Sequence, residues 1–197
     1  MLKNKVLKTA IFSMALNSLY GAYNIILGLI ERSWWLFTTG VYYLMLSVLR
    51  FVIVITRKRI DALSKFTGGM LILLSFLLSG TVALAALGNR GHKFDIITMI
   101  TIATYAFTKI TLSTIKLIKS RHSKSKKVVA LRNVSFATAF VSIFSMQRSM
   151  LVTFEGMTQG EIVIMNTATG ACVVLIVFLL GLNLVKKKKL IFKSLDK

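Results

Sequence analysis

The 197-residue chain is 55% hydrophobic with a mean hydropathy of +0.74, which is too apolar for an ordinary soluble domain and indicates an integral membrane protein. Its formal net charge is +20, from 26 Lys and Arg against six acids; in a soluble protein that would mark a nucleic-acid binder, but in a membrane protein the placement of the charge matters more, and no nucleic-acid partner is expected. Cys172 is the single cysteine, so an intrachain disulfide is excluded.

Six apolar runs follow one another along the chain. The first, "TAIFSMALNSLYGAYNIILGLI" (9–30), comes after Lys3, Lys5 and Lys8; it is longer than a signal-peptide core and is read as a retained span. Ser13, Asn17, Gly21, Asn24 and Gly28 form a polar seam along it at helical spacing. The second, "WWLFTTGVYYLMLSVLRFVIVIT" (34–56), opens on Trp34 and Trp35, expected at a membrane interface, and carries Thr39, Tyr43, Ser47 and Arg50 on one seam. The third is "FTGGMLILLSFLLSGTVALAAL" (66–87). The fourth, "IITMITIATYAFTKITLSTIKLI" (96–118), has Thr101, Thr104, Thr108 and Thr111 in steps of three and four, with Lys109 among them.

The fifth run (128–152) contains "LRNVSFATAFVSIFSMQRSML" (131–151). Its Ser135, Thr138, Ser142, Ser145 and Ser149 fall within roughly 80° of one helical face at about 100° per residue. Arg132 and Arg148 lie near the two ends of the stretch, about 24 Å apart by helical rise. The sixth run is "IVIMNTATGACVVLIVFLLGLNLV" (162–185). Each run is long enough to cross a hydrocarbon core of about 30 Å. The odd-numbered runs begin at residues 9, 66 and 128, a spacing that predicts three hairpins in tandem.

Lys and Arg stay on the cytoplasmic side of short loops. They crowd the N-terminal segment, the second loop (Arg57, Lys58, Arg59, Lys65), the fourth loop (Lys116 to Lys127) and the tail from Lys186, whereas the opposite loops hold only Arg32, Arg90 and Lys93. Both termini are therefore expected in the cytoplasm. The fifth run must also span, since otherwise the fourth loop and the tail would lie on opposite sides. The expected fold is all-α: a single six-helix transmembrane domain over 1–197 in the plasma membrane, with spans 9–30, 34–56, 66–87, 96–118, 128–152 and 162–185.

An ionisable side chain at the centre of a membrane helix costs about 2.5–3.5 kcal/mol on insertion scales, so each such residue is a candidate site. Arg50, Lys109 and Arg132 sit at similar depth near the cytoplasmic face. With Tyr43, they are candidates for binding a ligand or the anionic headgroups of lipid, as a basic vestibule. Asn17, Asn24, Ser47, Thr104, Thr108, Ser135, Thr138, Ser142 and Ser145 are candidates for a polar pathway. Arg148 is expected to form an interfacial ion pair with Glu155 or Glu161. All six acids, Glu31, Asp61, Asp95, Glu155, Glu161 and Asp196, lie in loops or near helix ends, and neither His92 nor His122 lies in a run. No metal site, cofactor or catalytic set is expected, and the chain is not expected to be an enzyme.

The stretch "ALNSLYGAYNIILGLIERSWWLFTTGVYYLML" (15–46), with an Asn-containing first helix, a Gly-bearing turn and a Ser before the second helix, resembles the first hairpin of cation diffusion facilitators. "LRNVSFATAFVSI" (131–143) is similar to their fifth helix, Ser142 included. The resemblance implies six spans with both termini inside, and a divalent-metal route through ligands four residues apart on the second and fifth helices. In this chain those positions are Thr39 and Tyr43, then Val134 and Thr138.

The functional expectation is a transporter-like protein for a small neutral or anionic solute, with a polar interior and a basic cytoplasmic vestibule. The alternatives are a non-transport interaction or scaffold subunit, whose seams only pack helices, or a degenerate cation diffusion facilitator-like protein. Expected partners are membrane lipid, the solute and, as an option, a second copy of the chain.

Overall fold

In the computed structural model, the chain is described over residues 2–56, 60–87, 96–120, 125–153 and 157–186. Six helices run through them: α1 Leu2–Ile30, α2 Trp34–Ile55, α3 Ile60–Leu87, α4 Ile96–Ser120, α5 Lys126–Thr153 and α6 Gln159–Lys186. All six are long and apolar enough to cross a membrane. Helices α1, α3 and α6 begin before the apolar runs at residues 9, 66 and 162, because an established backbone ladder extends readily through polar flanking residues. The chain has no proline, so nothing deprives a ladder of a donor.

Helix ends are set by local hydrogen bonding. Ser33 N donates to Gly28 O at 2.9 Å and Glu31 N to Leu27 O at 2.9 Å, and between them Arg32 takes a φ of 49°. This is a Schellman closure of α1, with arginine at the left-handed position that glycine usually fills. At the start of α6, Thr158 N and Oγ1 donate to Glu161 Oε2 at 2.7 and 2.8 Å, and Glu161 N returns to Thr158 Oγ1 at 3.4 Å. That reciprocal pair is a capping box. Lys127 Nζ, at the start of α5, donates to Val54 O (2.6 Å) and Thr56 O (3.2 Å), closing the last carbonyls of α2.

Helix α1 packs along α2, α4 along α5, and α3 along α6; α5 also touches α2, α3 and α6. Three tandem hairpins are therefore not formed, since α3 takes α6 as its principal partner in place of α4. Lipid supplies little hydrophobic drive between helices, so pairing is decided where small residues let backbones approach. A Cβ on Gly68 would lie 2.8 Å from Gly181 O, and one on Gly181 would lie 2.9 Å from Gly68 O. Gly21 and Gly40 do the same between α1 and α2, at 3.0 and 2.7 Å.

Helix α5 is the centre of the bundle, with 67% of its apolar span buried against 28% for α4 and α6. The exterior is apolar, and the interior sets polar side chains among an apolar core. On α1, Phe12, Leu19 and Ile26 face outward, while Ser13, Asn17, Tyr20 and Asn24 face the interior. A soluble bundle inverts that arrangement.

Candidate functional site

Four helices bring the interior polar residues together. Arg50 from α2 and Lys109 from α4 are each 1% exposed, and both reach Ser13 on α1. Arg50 Nη1 donates to Ser13 Oγ, and Nη2 donates to Thr138 Oγ1 at 2.8 Å and to Val134 O at 3.5 Å on α5. Lys109 Nζ donates to Ser13 O at 3.0 Å, to Ser13 Oγ at 3.4 Å and to Asn17 Oδ1. Tyr105, one turn before Lys109, donates its hydroxyl to the same Asn17 Oδ1 at 3.1 Å. The ammonium also lies 5.0 Å from the centroid of the Tyr105 ring, within cation–π range.

Beside the cations lies a layer of tyrosines. Tyr20 stacks on Tyr105 with centroids 3.6 Å apart, and Tyr43 meets both edge-on at 5.0 and 5.4 Å. The Tyr43 hydroxyl donates to Ser142 Oγ at 3.1 Å, and Ser142 donates in turn to Thr138 O at 2.7 Å. Further along, Trp35, Thr39, Tyr42, Thr81 and Ser145 line a cavity of about 10 Å³, close to the volume that one water requires. Buried Tyr42 OH and Ser145 Oγ, with no hydrogen-bond partner among the described residues, border it. Arg148 lies over the Trp35 ring, 4.7 Å from its centroid.

Among the described residues, Arg50 and Lys109 donate to neutral acceptors that include one serine and one threonine hydroxyl, one amide and two carbonyls. Arg50 Nε and Asn17 Nδ2 remain buried with no hydrogen-bond partner among the described residues. No acid of the chain falls in the interior part of a span. Burying a charge costs several kcal/mol unless a counter-charge and full hydrogen bonding offset it.

The candidates named from the sequence separate into groups. Arg50, Lys109, Tyr43, Asn17, Thr138 and Ser142 converge in one cluster. Ser145 lies at the small cavity, and Ser135 is buried nearby, its carbonyl accepting from Ser113 Oγ at 2.9 Å. Asn24 donates to Tyr20 O at 2.8 Å, within its own helix. Ser47 bonds Ser18 Oγ at 2.7 Å and Met14 O at 3.1 Å, so it joins α1 to α2. Thr104 and Thr108 do not line the interior: Thr104 is exposed and Thr108 half-buried, and the Thr108 hydroxyl returns to Thr104 O at 2.7 Å. Burial of neighbouring Lys109 and Tyr105 turns the threonine stripe outward, where each hydroxyl can bond its own helix.

Arg132 does not join Arg50 and Lys109; it lines a separate cleft between α5 and α6. Trp35 is buried beneath Arg148, while Trp34 is 73% exposed, so of the two only Trp34 fits an interfacial belt. Glu161 caps α6, whereas Glu155, His92 and His122 lie outside the described residues. Tyr20 and Tyr105 were not singled out by the sequence. Their signal was spacing: Tyr20 falls seven residues after Ser13, and Tyr105 four before Lys109.

Compared with known protein families and curated protein sequences, the chain matches none. Its site is therefore read from its own chemistry. Among the described residues, no group of three or more His, Cys, Asp or Glu could hold a metal ion.

Proposed function

We propose that the chain is a multi-pass plasma-membrane protein, with both termini in the cytoplasm, that carries a small anionic solute through the interior of its bundle. The observation that carries this reading is the convergence of Arg50 and Lys109 on Ser13, each 1% exposed, with Arg50 Nε and Asn17 Nδ2 left without a hydrogen-bond partner among the described residues. An entering anion brings negative charge to the two cations and accepts from Arg50 Nε and Asn17 Nδ2. Thr138 and Val134, at positions where the resemblance to cation diffusion facilitators places metal ligands, accept from Arg50. A guanidinium there favours an anion over a divalent cation.

The conformation described is closed around the two cations. In the proposed cycle, the Tyr20, Tyr43 and Tyr105 layer separates them from the end bearing Arg148, and solute reaches the cluster when the helices part on one side or the other. Carriers commonly place their binding sites near the bilayer midplane and open alternately to the two faces.

A second reading, a scaffold subunit, is favoured by the Ser18–Ser47 hydrogen bond and the reciprocal glycine contacts, which are helix–helix contacts. A thermal-shift series on purified protein separates the two. Titrated against chloride, nitrate, phosphate and small carboxylates, a carrier gains stability from a subset of these anions. The gain disappears in Arg50→Gln and Lys109→Gln. A scaffold shows no selective gain, and that outcome would sink the carrier reading.

A further inference from the structure

The cleft between α5 and α6, apart from the buried cluster, has a volume of about 310 Å³ and opens to the surface. Two cations, Arg132 from α5 and Lys186 from α6, line it together with the amides of Asn133 and Asn183. Leu180 and Leu184 form its apolar wall. Along α6 the lining runs from Leu180 to Lys186, about 9 Å by helical rise, with hydrocarbon toward the bundle centre and charge at the helix end. The sequence continues from Lys186 into three further lysines, Lys187, Lys188 and Lys189.

We infer that this cleft binds an anionic phospholipid from the cytoplasmic leaflet, its headgroup phosphate held by Arg132 and Lys186 and the start of an acyl chain lying along Leu180 and Leu184. The inference rests on the reading of the basic helix ends as cytoplasmic. Charge complementarity selects the occupant. A cleft with two cations and two amide donors suits a phosphate diester, and it ends at Lys186, where the sequence turns into lysines of the kind that anionic leaflets attract. A free anion would match the charge of the cleft but leave the leucine wall uncovered. Helix α5 packs against the Arg50 and Lys109 cluster on another face, so lipid in the cleft bears on the helix that Arg50 grips through Thr138 and Val134.

The test is thermal unfolding and native mass spectrometry of purified protein in neutral detergent, with phosphatidylglycerol, phosphatidylcholine or inorganic phosphate added. Phosphatidylglycerol should raise the melting temperature and remain bound as one molecule, while the other two should not. The Arg132→Gln, Lys186→Gln double variant should bind phosphatidylglycerol roughly tenfold or more weakly, as expected for two cations near an anionic lipid. Its melting temperature without lipid should stay unchanged, showing that it folds. Asn183→Trp, which fills the cleft from an exposed position and keeps both cations, should weaken binding as well. Equal stabilisation by inorganic phosphate, or unchanged phosphatidylglycerol binding in both variants, overturns the lipid site. Neither result bears on the anion response of Arg50→Gln, so failure here is distinguishable from failure of the carrier reading.

Discussion

Arg50 and Lys109 are costly to bury, and the cost makes a specific prediction. Burying an ammonium costs several kcal/mol, and hydrogen bonds to neutral acceptors offset only part of that. Lys109→Met should therefore raise the unfolding free energy in detergent by about 1–2 kcal/mol while abolishing anion-dependent stabilisation; a loss of stability with the anion response intact would assign Lys109 a structural role. Arg32, held at a φ of 49°, makes a second prediction. A left-handed non-glycine residue costs about 1–2 kcal/mol, partly offset by the unfolded-state entropy that glycine adds. Arg32→Gly should stabilise by roughly 0.5–1 kcal/mol in the same unfolding measurement. Arg50 and Lys109 were legible in the sequence because a cation inside an apolar run has few innocent explanations. Their separation from Arg132 was not, because depth along a helix follows from counting residues but rotation about its axis follows from its partners. Thr104 and Thr108 failed for the same reason: Lys109, adjacent to Thr108, decides which face of α4 turns inward.

The helices pair where their glycines meet, and these contacts can be tested one residue at a time. A Cβ at position 40 would lie 2.7 Å from Gly21 O and from an Ile25 side-chain carbon, so Gly40→Ala must push α1 from α2. Overpacking of this kind costs about 1–3 kcal/mol. A methyl group added at Gly69 would meet no atom within 4 Å, so Gly69→Ala should instead gain up to about 1 kcal/mol from helix propensity. The two variants should shift the melting temperature in opposite directions; equal shifts would show that the glycines are not the contact points. The hydroxyl stripe of α5 faced inward as its spacing predicts, with Ser135, Thr138, Ser142, Ser145 and Ser149 all buried. The pairing of α3 with α6 was hidden because it depends on Gly68 meeting Gly181, more than a hundred residues later. Neither glycine carries a local signal of its partner.

Six long apolar helices, an apolar exterior and polar side chains gathered in the interior together describe a molecule arranged for lipid. Composition already pointed to that class, since a chain of this hydropathy leaves few soluble alternatives. Among the described residues, two groups of cations then differ in environment. Arg132 and Lys186 line a cleft open to the surface, where lipid phosphate can reach them. Arg50 and Lys109 lie buried among α1, α2, α4 and α5, and in the proposed carrier they are the site at which the solute binds. The most direct test of that assignment is anion flux into proteoliposomes reconstituted with the wild-type chain or with the Arg50→Gln, Lys109→Gln double variant. The carrier account predicts flux above that of empty vesicles for the anions that stabilise the protein, and its loss in the double variant despite normal incorporation. Wild-type flux no greater than that of empty vesicles, or undiminished flux in the double variant, would contradict it.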